Sequence, residues 1–242
     1  MNTIPARTVH FEADGLMLSG VLHLPEKRPA PFVVGCHGLF ADKVSPKQIA
    51  LADQCARAGL AYFRFDHRGC GESQGSLAED TSIDARCRDL EAAIAAIQGY
   101  SETSNLAGLF GSSMGGAVVI ATAKKFSGIR IVTLAAPLVS EPVAGAIRTA
   151  NDPMAEKMPD SFYDCALRFD ITEKAKGLSR ILLFHGEADT IVPCDHAKQI
   201  YAMCEQPKEL VLLENGDHRM SDPRHQAVFM EKTVAWLEMG RV

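Results

Sequence analysis

The sequence predicts an α/β protein built on a doubly wound, mostly parallel eight-stranded sheet. Apolar runs recur at regular intervals along the chain, and several are unbroken stretches of Val, Leu, Ile and Phe. Such runs are typical of parallel strands that are covered on both faces. Segments with helical periodicity lie between these runs, and alternating strands and helices indicate a doubly wound sheet.

The eight predicted strands follow one another along the whole chain. The first two are joined through Ala13, Asp14 and Gly15, which predicts an antiparallel hairpin at one edge of the sheet. The predicted strands are Thr8–Glu12, Leu16–Leu24, Phe32–Cys36, Ala61–Asp66, Leu106–Phe110, Arg130–Ala135, Ile181–His185 and Leu210–Leu213.

Helical spacing is clearest in three segments. Residues 82–98 carry apolar side chains at steps of three and four, which predicts an amphipathic helix, and residues 227–237 repeat that spacing near the C-terminus. Residues 115–123 are apolar on every side, so we expect a helix that is packed beneath other elements.

The chain is expected to form a single domain over residues 1–242, with a small cap insertion at about residues 138–179. A chain of 242 residues can bury a substantial core as one unit. The insertion is rich in Met, Phe and Pro and shows no clear strand. Because it is too apolar for a disordered segment, we expect a small cap there.

Composition argues against several functional classes. Hydrophobic residues make up 47% and charged residues 23% of the chain, as in soluble globular proteins. The formal net charge of -5, without a long Lys/Arg run, argues against nucleic-acid binding. The seven cysteines are scattered and lack the spacing of a zinc or redox motif. We therefore expect reduced thiols, a cytoplasmic location and no metal site.

Export and membrane insertion are not expected either. The N-terminal segment lacks an apolar run after a basic start, so it does not resemble a secretory signal. Residues 105–123 are uncharged, but glycines and serines interrupt them, which favours a buried strand and helix over a membrane span. Edge strands can pair between copies, so we expect a monomer or a homodimer without a membrane partner.

The candidate nucleophile lies in the segment GLFGSSMGG. Residues 111–115 match the pattern GxSxG between a predicted buried strand and a predicted helix, which is the context that this motif requires. Only Ser113 stands at the centre of the pattern, because Ser112 would need a glycine where Phe110 stands. Ser113 is therefore the predicted nucleophile.

A serine hydroxyl attacks a carbonyl only when a positioned base accepts its proton, and histidine is the natural base. His218 fits best because it follows the last predicted strand, in a glycine-containing loop before the final helix. His37 and His185 precede glycines and are expected to shape turns or pack. His196 falls within a predicted helix, and His225 begins the last one.

The third group should be a buried carboxylate that fixes the histidine tautomer. Asp189 fits best, because it closes ILLFHGEAD directly after a buried strand, at the same sheet edge as Ser113. Glu187 and Asp195 lie close by in the sequence and remain alternatives. The resulting chain order is Ser, Asp, His.

At this point the sequence resembles the α/β-hydrolase family. The resemblance covers nearly the whole chain and rests on segments that occur in family order. They are HGLF at 37–40, FDHRGCGES at 65–73, GSSMGG at 111–116, HGEADTIVP at 185–193 and NGDH at 215–218. The resemblance implies the α/β-hydrolase fold and a triad of Ser113, Asp189 and His218.

The resemblance also implies an oxyanion hole that is formed by the backbone N–H groups of Leu39 and Met114. Phe40 is expected to line the acyl pocket. The FDHRGCGES segment is expected to brace the entrance of the site, where Asp66 and Arg68 have a structural role. Its glycines do not complete the GxGxxG pattern, so no nucleotide or other cofactor is expected.

These features predict a serine esterase that hydrolyses a small carboxylic ester through a covalent acyl-enzyme. The chain length and small cap resemble short-chain carboxylesterases and the cinnamoyl or feruloyl esterase group. Phe162 and Tyr163 are then expected to contact an aromatic acyl part, unless they form the core of the cap. A thioesterase, a peptidase or amidase with the same triad, and a catalytically silent binding protein remain alternatives.

Overall fold

The computed structural model describes residues 4–149 and 152–240, and it contains one eight-stranded sheet with the strand order β1-β2-β4-β3-β5-β6-β7-β8. This architecture confirms the predicted fold class. All eight predicted strands are present, although several extend beyond their predicted ends. They are β1 (Ala6–Ala13), β2 (Leu16–His23), β3 (Ala30–Cys36), β4 (Ala61–Phe65), β5 (Thr103–Ser112), β6 (Arg130–Leu134), β7 (Ile181–Gly186) and β8 (Lys208–Leu213).

The hairpin is the antiparallel edge of the sheet. Strands β1 and β2 pair from Ala6 with His23 to Ala13 with Leu16. The two residues between them, Asp14 and Gly15, both have positive φ angles, of 52° and 78°. Two such residues make the tight turn that suits the twist of a hairpin. Strand β2 is antiparallel to β4, and the strands from β4 onward along the sheet pair in parallel.

Helices follow most of the parallel strands. Ser82 caps α3 by accepting a hydrogen bond from the N–H of Ala85 at 3.1 Å, and Asp222 caps the last helix through the N–H of Arg224 at 2.8 Å. The helices are α1 (Pro46–Arg57), α2 (Leu77–Asp80), α3 (Ile83–Gln98), α4 (Met114–Thr122), α5 (Glu141–Thr149), α6 (Thr172–Ala175), α7 (Asp195–Met203) and α8 (Pro223–Glu238).

The two faces of the sheet carry two separate apolar cores. Side chains of β3 alternate between them: Phe32 and Val34 lie in the core beneath α3, α4 and α7, whereas Val33 lies in the core beneath α1 and α8. Because successive side chains of a strand point to opposite faces, the unbroken apolar run of β3 fills both cores.

Residues 138–179, where the sequence predicts a cap insertion, lie between β6 and β7, and residues 150 and 151 lie outside the described residues. The segment contains α5 and α6, a short 3-10 helix at Ala155–Lys157 and a π-helical turn at Phe162–Ala166. Its described parts include an isolated antiparallel bridge between Val139 and Asp170. Its action as a cap stays a prediction. Among residues 4–149 and 152–240, no helix is both long and apolar enough to cross a membrane.

Phe229 provides a test of how α8 is held on the sheet. Its ring is fully buried, with its centroid 5.5 Å from that of Phe110 on β5 and 5.1 Å from that of Phe184 on β7. Phe229→Ala should lower the free energy of unfolding by about 3–5 kcal/mol, because it removes apolar contacts and leaves a cavity. Urea denaturation followed by circular dichroism measures this.

The neighbouring residue of the same helix gives the matched control. Val228 is 38% exposed, so Val228→Ala should change the free energy of unfolding by less than about 1 kcal/mol. Equal losses in the two variants would contradict the assignment of Phe229 as the anchor of α8.

Candidate active site

A strained turn between β5 and α4 carries the predicted nucleophile. Ser113 has φ 53° and ψ -124°, which is an unfavourable conformation for a residue with a side chain. The turn is so compact that only glycine fits at two positions. A Cβ on Gly111 would lie 2.2 Å from the carbonyl oxygen of Gly115, and a Cβ on Gly115 would lie 2.4 Å from the carbonyl oxygen of Cys36. The Ser113 N–H donates to the carbonyl of Leu134 at 2.8 Å, which fixes the turn beside β6.

The structure brings the other two predicted residues to this serine. His218, in the loop after β8, has its Nε2 atom 3.0 Å from Ser113 Oγ and its Nδ1 atom 2.7 Å from Asp189 Oδ2. Asp189 follows β7, and its Oδ1 atom accepts hydrogen bonds from the N–H groups of Ile191 at 2.9 Å and Val192 at 2.8 Å. The three side chains therefore form one continuous chain of hydrogen bonds.

The protonation states of this chain follow from its environment. The Asp189 side chain is fully buried, which by itself would raise its pKa. Interactions with His185 and His218 and the N–H of Val192 outweigh burial and hold the pKa of Asp189 below its ordinary value. An ionised carboxylate only accepts, so His218 Nδ1 carries a proton and donates it. His218 Nε2 is then free to accept the proton of Ser113.

The alternative histidines and carboxylates form no hydrogen bond with Ser113 within the described residues. His196 accepts a hydrogen bond from the N–H of Leu138 at 2.9 Å. His185 contacts Asp189, and its Nε2 atom lies 3.3 Å from Asp189 Oδ2 and 2.8 Å from the carbonyl oxygen of Val192. Glu187 is exposed, and Asp195 is also exposed, where it pairs with Lys198. Of these carboxylates, Asp189 is the one that contacts His218.

Leu39 and Met114 lie beside Ser113, where the sequence resemblance places the oxyanion hole. Both residues line the same apolar pocket as Ser113. Within the described part of the chain, neither backbone N–H donates to another group of the protein. Met114 is the first residue of α4, and the first N–H groups of a helix have no partner inside it. Two free donors thus adjoin the candidate nucleophile.

Two cavities of different character meet at Ser113. The smaller one is apolar, and the insertion supplies most of its wall: Val143, Ala144, Ile147, Leu167 and Phe169. The wider one runs from Ser113 and His218 past Phe40 to the first turn of α1, where Lys47 lies. Lys47 Nζ donates to the carbonyl of Arg219 at 2.9 Å, which ties the loop that carries His218 to α1.

The three predicted substrate-binding aromatic residues lie in different surroundings. Phe40 lines the wider cavity, and its ring stacks on that of Phe162 with the centroids 6.3 Å apart. Phe162 and Tyr163 are 1% and 5% exposed and belong to a buried cluster with Leu39. Neither lines the two cavities at Ser113. This placement matches the other reading of the sequence, in which these two residues form the core of the cap, and their contact with substrate stays a prediction.

The sequence motifs contain His37, His67 and Arg68 but do not predict the buried polar cluster that these residues form with two residues of α3. It consists of His37, His67, Arg68, Arg86 and Asp89. Its members are 5% exposed or less. Arg86 and Asp89 lie on α3 and follow the same steps of three and four as its buried apolar residues. Charged residues on a predicted buried helix face are the signal that could have revealed this cluster.

Hydrogen bonds connect this buried polar cluster into a chain. The N–H of His67 donates to His37 Nε2 at 3.0 Å, so His37 Nδ1 carries the proton and donates to the carbonyl of Gly38 at 2.7 Å. His67 Nδ1 lies 3.2 Å from Asp89 Oδ2, and Arg68 donates to the other oxygen of Asp89 at 2.7 and 2.9 Å.

Burial determines the charges within the buried polar cluster. It lowers the pKa of His67 to about 4, and the nearby Asp89 opposes the shift only in part. Burial also lowers the pKa of His37. Burial alone would raise the pKa of Asp89, but the contacts with His67 and Arg68 lower it to about 2. At neutral pH the two histidines are therefore neutral and Asp89 is ionised.

Comparisons with known proteins show that this chain is similar to hydrolases. The family model described as serine aminopeptidase, S33, matches residues 27–167. The uncharacterized protein YfhR of Escherichia coli O157:H7 is 31% identical over 244 residues, which cover 96% of this chain and 80% of YfhR. The mitochondrial palmitoyl-protein thioesterase ABHD10 of Mus musculus is 27% identical over 222 residues, which cover 81% of this chain and 71% of that protein.

One solved structure extends the comparison to the fold. The esterase domain of a Rhodothermus marinus protein matches with a TM-score of 0.72 and 24% identity, covering 98% of this chain and 99% of that one. The likeness shows that the two chains share their fold.

The neutral His67 predicts how stability depends on pH. Its pKa is about 4 in the folded protein and about 6.5 when unfolded, so the unfolded chain binds more protons between these values. The free energy of unfolding should therefore fall as the pH decreases from 6.5 to 4, by up to about 1.4 kcal/mol per pH unit for this residue. Urea denaturation at a series of pH values measures the slope.

His67→Gln should make that slope shallower, since glutamine does not titrate in this range. His10 on β1 is exposed, so His10→Gln serves as the control and should retain the slope of the original protein. An unchanged slope in His67→Gln would show that His67 does not titrate in this way.

Proposed function

Since this chain belongs to the α/β-hydrolase family, in the group whose family model is described as serine aminopeptidase, S33, we propose that it is a serine esterase. Its substrate would be a small carboxylic ester, cleaved through a covalent acyl-enzyme on Ser113. One observation carries the proposal: Ser113 Oγ lies 3.0 Å from His218 Nε2, whose ring contacts Asp189 at 2.7 Å. A hydroxyl held in this way can lose its proton to the imidazole as it attacks.

In the acylation step, Ser113 Oγ bonds to the carbonyl carbon while His218 Nε2 accepts the hydroxyl proton. The carbonyl oxygen becomes negative, and the N–H groups of Leu39 and Met114 donate hydrogen bonds to it. Asp189 remains ionised and stabilises the positive imidazole. His218 then gives its proton to the leaving alkoxide oxygen as the bond between that oxygen and the carbonyl carbon breaks.

Deacylation repeats this sequence with water as the nucleophile. A water molecule that enters through the wider cavity loses a proton to His218 Nε2 as its oxygen bonds to the acyl carbon. The negative oxygen of the tetrahedral intermediate accepts hydrogen bonds from the same two N–H groups. His218 returns the proton to Ser113 Oγ as the carboxylic acid leaves, which restores the starting state of the enzyme.

The two cavities support different roles for the two halves of an ester. The apolar pocket beside Leu39 and Met114 suits a short aliphatic or aromatic acyl group. The wider cavity, which is lined by Lys47 and Arg219, is open to polar groups and suits the leaving alcohol, so Phe40 would contact the alcohol and not, as the sequence predicted, the acyl group. The described part of the insertion forms much of the acyl pocket, so we assign acyl specificity to the apolar residues there that line it: Val143, Ala144, Ile147, Leu167 and Phe169.

A thioester is the second candidate substrate, because the relative ABHD10 is a palmitoyl-protein thioesterase. The same three side chains serve a thioester equally well, since the acyl-enzyme is identical and only the leaving atom differs. An amide is included because the family model is described as an aminopeptidase. A catalytically silent binding protein has less support, since it has no need for this hydrogen-bonded chain. The cytoplasmic location and the monomeric or homodimeric state stay predictions.

Ser113→Ala tests the nucleophile directly. The variant should hydrolyse 4-nitrophenyl butyrate at least about 10⁴-fold more slowly, because no hydroxyl remains to attack, while it keeps its circular dichroism spectrum. Ser112→Ala is a matched control one residue away and should keep most of the activity. Full activity in Ser113→Ala, or loss of activity in Ser112→Ala alone, would show that the wrong serine is assigned.

A substrate panel with one acyl group separates the candidate reactions. The 4-nitrophenyl ester, the S-(4-nitrophenyl) thioester and the 4-nitroanilide of butyric acid share the acyl part and the nitrophenyl ring and differ in the leaving atom. We expect kcat/KM to be highest for the ester and lowest for the anilide, whose nitrogen is the poorest leaving group. A thioester preferred by more than about tenfold would favour the second candidate.

A further inference from the structure

Arg86 is a fully buried cation directly behind the turn that carries Leu39. Its Nη1 atom donates to the carbonyl of Gly38 at 3.3 Å, and its Nη2 atom donates to the carbonyl of Leu39 at 3.1 Å and contacts Cys70 Sγ at 3.4 Å. In the described part of the chain, no carboxylate lies within ion-pair distance of Arg86.

A guanidinium without a carboxylate partner is expensive to bury. Arg68, in the same buried polar cluster, has the usual solution, since it pairs with Asp89 at 2.7 Å and Asp14 at 2.9 Å. Arg86 instead directs its charge at two consecutive backbone carbonyls of one turn. Ion pairing therefore does not account for the burial of Arg86, which is held by its hydrogen bonds to the turn at residues 38–39.

The first of these carbonyls belongs to the peptide group that supplies a candidate oxyanion donor. The carbonyl of Gly38 and the N–H of Leu39 are two ends of one planar unit. That carbonyl accepts from Arg86 at 3.3 Å and from His37 Nδ1 at 2.7 Å. Donors at the carbonyl end fix the plane of the peptide and polarise it, which makes the N–H at the other end a stronger donor.

We propose that Arg86 and His37 are positioning residues of the oxyanion hole: they hold and polarise the Gly38–Leu39 peptide so that its N–H stabilises the negative oxygen of the transition state. This inference rests on the proposed function, because it requires that the Leu39 N–H faces the reacting oxygen. Arg86 lines neither cavity, and His37 lines the wider one but is only 1% exposed, so both side chains act through the peptide. The gain arises only when the oxygen becomes negative, so the effect belongs to kcat and not to KM.

The rate at which a fluorophosphonate labels Ser113 tests this without knowledge of the natural substrate. The serine oxygen bonds to phosphorus and displaces fluoride, and the negative phosphoryl oxygen needs the same donors as a tetrahedral intermediate. Arg86→Met keeps an unbranched apolar side chain but removes the charge and the donors. We expect its labelling rate constant to fall about 10- to 100-fold, together with kcat for 4-nitrophenyl butyrate, while KM changes by less than about threefold.

Arg64→Met is a matched control for the loss of a buried arginine. Arg64 is 8% exposed and also donates to a backbone carbonyl, that of Lys43, at 2.6 Å, but within the described residues it forms no hydrogen bond with residues 37–40. This variant should lose thermal stability as Arg86→Met does, yet label at the rate of the original protein. Arg86→Lys should recover part of the labelling rate, since it restores a charge and a donor.

The outcomes separate this inference from the proposed function. If Arg86→Met is less stable but labels and turns over at the original rate, Arg86 is only a structural brace, and the esterase proposal stands. If the original protein labels at Ser113 but cleaves no ester, the proposed function fails while the labelling rates still test Arg86. Should Arg86→Met not fold, His37→Phe removes the second donor to the Gly38 carbonyl and must slow labelling in the same way, or the proposal is wrong.

Discussion

The close approach of the turn at Ser113 to β3 is the constraint on which the site depends. Gly115 lies so near the carbonyl of Cys36 that a Cβ there would be 2.4 Å from it, and Ser113 adopts a positive φ of 53° to make the turn. The strain of that conformation is held by the packing of α4 beneath the sheet. As a result, half-buried Ser113 lies at the carboxyl end of β5, where it lines both cavities, and the N–H of Met114 donates to no group within the described residues.

The order of the strands in the sheet sets the distance between the strand ends that carry Ser113 and His218. Strands β5 and β8 are separated by β6 and β7, so about 14 Å of sheet lies between the ends that carry Ser113 and His218. A strand end cannot close this gap, and a loop does so instead. The loop rests on β7 because Gly186 and Gly216 allow their backbones to touch, and Lys47 ties its far side to α1 through Arg219. The position of His218 thus depends on β7, on α1 and on the loop after β8.

The apolar runs and the turn residues between them were sufficient to predict the fold, because parallel strands covered on both faces are apolar for most of their length, as β3 and residues 181–184 of β7 are. The hydrogen-bonded arrangement of Ser113, Asp189 and His218 was also predictable, since GxSxG and the carboxyl ends of the strands leave few choices. For the buried polar cluster, the spacing of Arg86 and Asp89 on α3 could indicate burial but not the groups that they contact. Arg86 is stable in the core only because two carbonyls of a distant turn meet it, and such a match depends on the packing of α3 against residues 37–40. Local sequence does not encode that distance.

Charges on the two sides of Ser113 suit the charge separation that the proposed acyl transfer would create. On one side Asp189 is ionised and contacts the imidazole that becomes positive. On the other, the Arg86 cation lies behind the peptide whose N–H faces the oxygen that becomes negative in the proposed reaction. Both groups are buried, so water screens them little, and neither must reorganise as the reaction proceeds. Folding supplies the free energy needed to bury an arginine that has no carboxylate partner, before the substrate binds. The charge is therefore already in place when the reaction begins, so it can lower the barrier.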